Sequence, residues 1–394
     1  MQRTIGTSAY GLRAPIIKSG DCLKDIVVES LDEAVKENSF KLREKDVLAI
    51  TESLLARSQG NYASVDDITK DLNEKFDDEI AVVFPITSRN RFSVVLKAIA
   101  NTKKKISIFL TYPQDEVGNR IIDTETLLKN KINTYKTTLT EEDYIKLVGG
   151  EYKHPFTGVD YIKFYKNFAI NDNIKIYLTN DPLEVLKYSK SVLIANIHDR
   201  NYLKELYKEH GAEKIYGLDD ILTSPVNGSG YNKDFGLYGS NMATENSIKL
   251  FPRNCQEFVE DLQKMIKDKF GVKIEVMVYG DGAFKDPVGK IWELADPVVS
   301  PGYTSGLVGT PNELKLKYIA DTDLKDLSKD EALKAMKDKI AAKENSNKGQ
   351  MNLGTTPRNL TDLLGSLADL ISGSGDKGTP IVLIKGYFDN LATE

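Results

Sequence analysis

The stretch NLTDLLGSLADLISGSGDKGTPIVLIKGYF, residues 359–388, combines a helix, a glycine-rich turn and a strand. Its first half spaces its apolar residues for one helical face: Leu360, Leu363, Leu364, Leu367, Leu370 and Ile371. A turn with three glycines follows over residues 372–378, and Pro380–Ile384 is typical of a buried strand. Because glycine has no side chain to block a close approach, the N–H groups of such a turn can bind phosphate. The order of elements and the missing GK[ST] exclude a Walker A loop, and a flexible connection is the alternative for this stretch.

The composition is that of an ordinary soluble protein, with 41% hydrophobic and 28% charged residues among 394. This length predicts two or three domains with substantial cores. The net charge is −5 and the basic residues are dispersed, so nucleic acid is not a favoured partner. We find neither a signal peptide nor an apolar run long enough to span a bilayer, and we therefore expect a cytoplasmic protein without a membrane partner.

The two cysteines and three histidines of the chain limit its metal chemistry. Cys22 and Cys255 show no paired spacing, which argues against a disulfide framework and against a zinc site. A bound metal would then depend on carboxylates and phosphates, whose oxygen atoms suit Mg²⁺ and Mn²⁺.

Strand-like and helix-like segments alternate through the middle of the chain. Strands are predicted over Ala81–Phe84, Ile106–Leu110, Ile174–Leu178, Ser191–Ala195 and Lys214–Tyr216. Helices are predicted over Phe92–Ala100, Pro182–Tyr188 and Tyr202–His210, whereas residues 124–173 show no clear periodicity. This alternation predicts a mostly parallel, layered sheet and an α/β fold class. No GxGxxG follows any of these strands, so a dinucleotide-binding oxidoreductase is disfavoured.

The outer parts of the chain contain further elements. Helices are predicted over Leu23–Glu37, Val65–Phe76 and Cys255–Lys269, and an exposed, highly charged helix over Leu324–Lys348. Asp21 and Ser64 are the expected N-caps of the first two helices. Strands are predicted over Asp46–Thr51 and Val272–Tyr279.

Four motifs, in order, resemble the coenzyme F-420 γ-glutamyl ligase family. The family start, similar to LPLIKxGDDL, and the later KAEGR are matched by APIIKSGD at 14–21 and by DVLAITESLLARSQG at 46–60. The family GIDxSN and LLP are matched by GLYGSN at 236–241 and KLFP at 249–252. A family strand that ends in aspartate corresponds to VMVYGDGAF at 276–284. The family helix, GEGGDG, proline and strand correspond to the stretch quoted first.

The resemblance covers residues 5–60 and 225–386 and implies both a fold and an activity. It implies that residues 1–90 and 225–394 form a discontinuous γ-glutamyl-ligase-like core of mixed α/β (α+β) architecture, and that 91–224 form an inserted Rossmann-like α/β domain. It also implies an intertwined homodimer that uses GTP (or ATP) and Mg²⁺ or Mn²⁺. The implied reaction joins L-glutamate or a similar amino acid to a carboxylate acceptor, which is first phosphorylated.

Matching the motifs residue by residue gives the expected site. The resemblance implies the following nucleotide-binding residues: Pro15, Ile16, Ile17, Glu52, Arg57, Ser240, Asn241, Gly373, Ser374, Gly375, Lys377 and Gly378. Arg57 stands where the family has a phosphate-side lysine, and a guanidinium can bind phosphate in bidentate fashion. Asp281 matches a metal ligand, and Asp376 is expected to reach the same ion. The alternatives are a surface arginine for Arg57, a helix-cap or turn aspartate for Asp281, and a cap of the next helix for Ser240 and Asn241.

Two departures from the family pattern leave a second function open. Tyr238 stands where the family has the aspartate of GIDxSN, and the register argues against Asp234 as its substitute. Ser374 stands where the family has the ligand glutamate of GEGGDG. The alternative function is therefore a non-catalytic nucleotide- or ligand-binding regulatory protein that kept the fold.

The segment TSRNRF, residues 87–92, carries two arginines just before a predicted helix. With Ser88 or Asn90 as the cap, such a helix start can receive an anion, and an ordinary cap with solvated arginines is the alternative. Tyr152, Tyr161 and Tyr165 either line a ligand cleft or pack within the middle block, and packing is favoured.

Overall fold

In a computed structural model of the protein, the described residues are 4–39, 41–155, 157–280, 283–285, 292–294, 300–311, 313–343, 359–372 and 376–393. The strands are β1 (Ser8–Leu12), β2 (Val47–Thr51), β3 (Tyr62–Ser64), β4 (Glu79–Val83), β5 (Lys105–Leu110), β6 (Leu139–Thr140), β7 (Ile174–Leu178), β8 (Ser191–Ile194), β9 (Lys214–Gly217), β10 (Asn241–Thr244), β11 (Ser247–Lys249), β12 (Glu275–Tyr279), β13 (Ala283–Lys285), β14 (Trp292–Leu294), β15 (Gly302–Tyr303) and β16 (Ile381–Lys385). The helices are α1 (Leu23–Glu37), α2 (Glu52–Ser58), α3 (Val65–Lys75), α4 (Phe92–Asn101), α5 (Thr124–Lys129), α6 (Glu141–Val148), α7 (Tyr161–Lys166), α8 (Arg200–Glu209), α9 (Cys255–Phe270), α10 (Leu316–Thr322), α11 (Lys329–Ala342) and α12 (Leu360–Ile371). Short 3-10 helices cover Pro182–Lys187, Leu218–Asp220 and Ser305–Leu307. These elements form several helix-covered sheets, which confirms the α/β fold class.

A five-stranded sheet joins the two ends of the chain. Its strand order is β1-β16-β2-β12-β15, in which β2 and β12 are parallel and the other neighbours antiparallel. The first four residues of β2 are fully buried and apolar, since both faces of the sheet are covered. α1 and α9 pack on one face, and α12 packs on the other. The C-terminal stretch therefore completes a core begun by the first strands of the chain.

A six-stranded sheet contains the alternating elements from the middle of the chain. Its order is β6-β7-β5-β4-β8-β9, and all its neighbours are parallel except β6 and β7. α4 covers one face and α8 covers the other. The chain starts at the central strand β4, builds outward through β5 and β7, and then returns to the other side with β8 and β9. This arrangement is the doubly wound order of Rossmann-like sheets.

A small antiparallel sheet, β10-β11-β3, lies between the two larger sheets. Its buried residues Ala63 and Ile248 belong to the same apolar core as Leu72 of α3 and Ile99 of α4. The small sheet and the six-stranded sheet are thus joined by continuous packing. β13 and β14 pair as a separate antiparallel hairpin.

The strand β4 precedes residue 91, the predicted start of the inserted domain. It nevertheless pairs with β5 and β8 in the middle of the six-stranded sheet. The strand pairing therefore places residues 79–83 with the middle block. The division into a core and an inserted domain stays a prediction.

Several local predictions need correction. Asp21 does not cap α1, because its carboxylate accepts a hydrogen bond from the Lys18 N–H (2.6 Å) and Cys22 occupies the cap position. Ser64 does cap α3, in a capping box with Asp67. Residues 124–173 contain the short elements α5, β6, α6 and α7, which are too short to show periodicity. The charged helix is limited to α11, and residues 344–348 of that prediction lie outside the described residues.

None of the helices in the described ranges is both long and apolar enough to cross a membrane.

The two cysteines differ in their environment, which predicts selective alkylation. Cys22 is exposed, whereas burial at the start of α9 raises the pKa of Cys255 to about 12. At about pH 8, iodoacetamide is expected to modify Cys22 alone, because the reagent can reach the exposed sulfur of Cys22 but not the buried sulfur of Cys255, and because the thiolate is the reactive form. Peptide mass mapping measures the sites, and the urea-unfolded chain, where both cysteines react, is the control. Equal modification of both cysteines in the folded protein would contradict this packing.

Candidate functional site

Three chain segments meet at one edge of the five-stranded sheet. β2 and β12 are parallel, with Thr51 opposite Tyr279, so both strands end at this edge. β16 is antiparallel to β2, and the Thr51 N–H donates to the Pro380 carbonyl (3.1 Å), so β16 begins here. Glu52 follows β2, Gly280 follows β12, and the predicted glycine-rich turn precedes β16. Strand order therefore brings distant motifs to one edge.

A cavity of about 910 Å³ lies between this region and the six-stranded sheet. Four of the predicted nucleotide-binding residues line it: Glu52, Arg57, Ser240 and Asn241. The opposite wall is formed by residues that follow β4 and β8, including Arg89, Arg91 and Ile197. The cavity volume is at the upper end of the range for ligand pockets in proteins. It is therefore the candidate functional site.

A buried ion pair lies in the wall of this cavity. The Lys249 ammonium donates to both carboxylate oxygens of Glu52, at 3.0 and 3.2 Å. Both side chains are more than nine-tenths buried. The pKa of Lys249 lies below that of an ordinary lysine, mainly because burial disfavours the charged ammonium. The positive charge of Arg91 acts in the same direction, whereas Glu52 opposes both effects. Arg91 is therefore close enough to Lys249 to act on it electrostatically.

Arg57 connects the cavity to the N-terminal motif. Its Nε–H donates to the Ile17 carbonyl (2.6 Å), which orients the guanidinium. Ile17 is buried, whereas Pro15 and Ile16 are exposed, and none of the three lines the cavity. The N-terminal motif therefore contacts Arg57, which lines the cavity, but does not line the cavity itself.

Ser240 and Asn241 line the cavity just before and at the start of β10. A strand follows them, so the alternative role as a cap of the next helix is wrong. Tyr238, in place of the family aspartate, is buried, and its hydroxyl donates to the Asn196 carbonyl (2.7 Å) beyond β8. The Arg200 guanidinium lies over its ring, 5.3 Å from the centroid. Tyr238 thus joins the cavity wall to the six-stranded sheet.

The predicted glycine-rich turn is only partly described. Asp376, Lys377 and Gly378 are exposed and do not line the cavity. The Ala14 N–H donates to the Gly378 carbonyl (3.4 Å), so the turn lies beside the N-terminal motif. Gly373, Ser374, Gly375 and Asp281 lie outside the described residues.

The carboxylates of the cavity bear on metal binding. Within the described ranges, no group of three or more histidine, cysteine, aspartate or glutamate side chains is placed to hold a metal ion. Glu52 and Asp369 are the acidic residues among the described lining. Asp369 is in the last turn of α12, and this helix packs against Tyr279 at the end of β12. One or two carboxylates fit Mg²⁺, which keeps waters and takes phosphate oxygens as its other ligands.

Sequence reasoning missed several polar residues of this site, among them Lys249, Asp369 and Asn119. Lys249 is the first residue of the matched KLFP, and Asp369 lies one turn before the glycine-rich turn. Their positions beside these motifs are the feature of the sequence that could have identified them as site residues. Asn119 lies in a loop without a motif, and only the tertiary structure shows its place.

The segment 87–92 is at the cavity, but its predicted cap is wrong. α4 begins after Arg91, and no side chain caps it. The Ser88 hydroxyl instead accepts from the Arg91 N–H (2.9 Å). Tyr161 lines the cavity, and Tyr165 is buried with its hydroxyl accepting from the Ser88 N–H (2.7 Å). One tyrosine therefore lines the cleft while the other packs beneath it.

No curated protein matches the chain. The model of a protein family described as F420-0:Gamma-glutamyl ligase matches residues 11–386. This match includes most of the two predicted core segments, the whole middle block and every residue of the cavity described above. The chain therefore belongs to the F420-0:gamma-glutamyl ligase family, a family of ligases.

Proposed function

We propose that the protein is a nucleotide- and divalent-metal-dependent amide ligase that adds L-glutamate or a similar amino acid to a carboxylate acceptor. The observation that supports this proposal is the convergence of Glu52, Arg57, Ser240 and Asn241 on one cavity of about 910 Å³. These residues come from motifs far apart in the chain, and the family is one of ligases.

The proposed reaction has two steps, because a carboxylate oxygen is a poor leaving group. First, an oxygen of the acceptor carboxylate bonds to the γ-phosphorus of GTP or ATP, and the bond to the β–γ bridging oxygen breaks. This step gives an acyl phosphate and a nucleoside diphosphate. Next, the nitrogen of the neutral amine bonds to the acyl carbon and inorganic phosphate leaves; the nitrogen loses one proton to water and keeps the other as the amide N–H. Catalysis of such steps depends mainly on alignment and on stabilisation of charge.

The side chains of the cavity can supply this alignment. With its Nε–H held by the Ile17 carbonyl, Arg57 has its terminal N–H groups left to bind phosphate oxygens. Ser240 and Asn241 can donate to phosphate or ribose. Asp369, together with Asp281, which matches a metal ligand of the family, would hold Mg²⁺ or Mn²⁺, and the bound ion would neutralise phosphate charge. The resemblance also implies an intertwined homodimer, which we propose for this chain as well.

Nucleotide binding tests this proposal. GTP or ATP with Mg²⁺ is expected to raise the free energy of unfolding, by about 2.7 kcal/mol at a ligand concentration of about 100 Kd. Arg57→Gln is expected to weaken nucleotide affinity about tenfold or more, because hydrogen bonds to charged groups are strong. Arg43→Gln, an exposed arginine paired with Asp389 outside the cavity, is the matched control and should leave affinity unchanged.

Two results separate the competing functions. No stabilisation by either nucleotide at millimolar concentration would refute the proposal. Nucleotide binding without phosphate release, in assays that combine amino acids with candidate carboxylate acceptors, would favour the non-catalytic regulatory protein.

A further inference from the structure

A row of three residues crosses the small sheet β10-β11-β3 and lines the cavity. Lys249, on the central strand β11, lies directly opposite Asn241 on β10 and Tyr62 on β3. Directly opposite residues of antiparallel strands share one face of a sheet, with their Cβ atoms about 5 Å apart. All three residues line the cavity, whereas the preceding residue of β11, Ile248, is buried in the apolar core. The small sheet therefore holds Lys249 beside Asn241, a predicted nucleotide-binding residue.

The Lys249 ammonium has a donor left for a ligand. An ammonium carries three N–H groups, and the acceptors of this one among the described residues are the two carboxylate oxygens of Glu52. These two contacts engage at most two of the three donors. Because Lys249 lines the cavity, we expect the acceptor of the remaining N–H to belong to a bound molecule.

Stability alone does not account for the ion pair. A buried pair is often no more stabilising than apolar side chains of similar volume, because desolvation of the two charges offsets their attraction. Glu52 is placed to orient the ammonium, since it begins α2 directly after β2 and accepts two hydrogen bonds, of 3.0 and 3.2 Å. A cation fixed in this way by rigid elements needs no reorganisation when charge develops beside it, and a buried site strengthens its effect.

The neighbours of Lys249 indicate the chemistry of its ligand. Asn241 lies opposite it, and Arg57 is in the last turn of the helix that Glu52 begins. Asn241 and Arg57 are proposed to bind the nucleotide, so the anion nearest to Lys249 is a nucleotide phosphate. The wall beyond the small sheet is formed by residues that follow β4 and β8, which leaves that side of the cavity for the acceptor. The phosphate that meets both substrates is the terminal one.

We propose that Lys249 is a catalytic residue whose ammonium donates a hydrogen bond to an oxygen of the terminal phosphate, and that Glu52 is the residue that positions it. During transfer, the acceptor oxygen bonds to phosphorus and the bond to the bridging oxygen breaks. The ammonium keeps its three protons and offsets the negative charge of the phosphoryl oxygens. This inference rests on the proposed function, because it requires a bound nucleoside triphosphate.

Calorimetric titration with a non-hydrolysable GTP analogue and with GDP, both with Mg²⁺, tests the role of Lys249 (the adenine pair is used if ATP is the nucleotide that stabilises the wild type). The measured quantity is the ratio of the affinity for the triphosphate analogue to the affinity for the diphosphate. In Glu52→Gln/Lys249→Met this ratio is expected to fall about tenfold, because a hydrogen bond to the terminal phosphate is lost. Glu52→Gln alone is the matched control: it keeps the ammonium, and its ratio should stay within about threefold of the wild type.

Two outcomes would overturn the role of Lys249 alone. They are an unchanged ratio in a double variant that binds both nucleotides, as a merely structural role requires, and an equal fall of the ratio in Glu52→Gln, which would assign the effect to Glu52. If circular dichroism shows that the double variant does not fold, Lys249→Gln, which keeps an N–H donor for Glu52, takes its place in the same comparison. A wild-type protein that binds neither nucleotide would refute the proposed function and, with it, the phosphate contact.

Discussion

Lys249→Met is expected to lower the free energy of unfolding by about 3 kcal/mol, because it leaves the Glu52 carboxylate buried without its ammonium partner. The two groups lie 3.0 Å apart and are both buried, so water cannot fully replace the lost hydrogen bonds. Urea denaturation followed by circular dichroism measures the change. The double variant Glu52→Gln/Lys249→Met is expected to recover about 2 kcal/mol of this loss, since no buried charge remains at the pair.

The control for this prediction is a surface pair. Lys36→Met removes an ammonium that lies 2.8 Å from Asp32 on the exposed side of α1, and it is expected to cost less than about 1 kcal/mol. If Lys249→Met is as stable as this control, the prediction is wrong, and solvent in the cavity stabilises the Glu52 carboxylate in place of the ammonium.

Asp115→Ala is expected to cost about 4 kcal/mol or more in the free energy of unfolding. The carboxylate satisfies five donor groups from Thr87, Val117 and Asn119, and alanine leaves these buried groups without an acceptor. Asp115→Asn keeps the shape but turns an amide N–H₂ toward donors, so it is expected to cost about half as much. Thermal and urea unfolding measure both variants.

Asp326→Ala is the matched control, because this aspartate is exposed and lies in a surface turn. It is expected to change stability by less than about 0.5 kcal/mol. If Asp115→Ala has an effect as small as this control, water fills the vacated position and the segment before Arg89 does not depend on the carboxylate.

The predictions from sequence succeed where a pattern is local. α1 and β7 have the predicted bounds, since one apolar face and a buried apolar run are visible within a short window. Ser64 caps α3 as predicted, because the cap and its Asp67 partner are three residues apart. Asp21 fails as a cap although its position is suitable, because a competing turn with Lys18 takes its carboxylate.

The pairing of distant segments is what sequence reasoning could not supply. The family motifs placed Glu52, Arg57, Ser240 and Asn241 together, and these residues do line one cavity. The partner of Glu52 is 197 positions away, and no local pattern marks Lys249 as a buried residue. The sequence shows that Tyr238 replaces a family metal ligand, but not that its hydroxyl and ring bind residues beyond β8. Such roles follow from packing, which depends on the whole chain.

The position of the cavity between sheets has a consequence for folding. A fragment must span residues 52–249 to contain both members of the Glu52–Lys249 pair, and it would still lack Asp369. Contacts between such distant positions require the closure of long loops, so they form after local helices and hairpins. We therefore expect the cavity to be completed late in folding, so that ligand binding would report a finished tertiary structure.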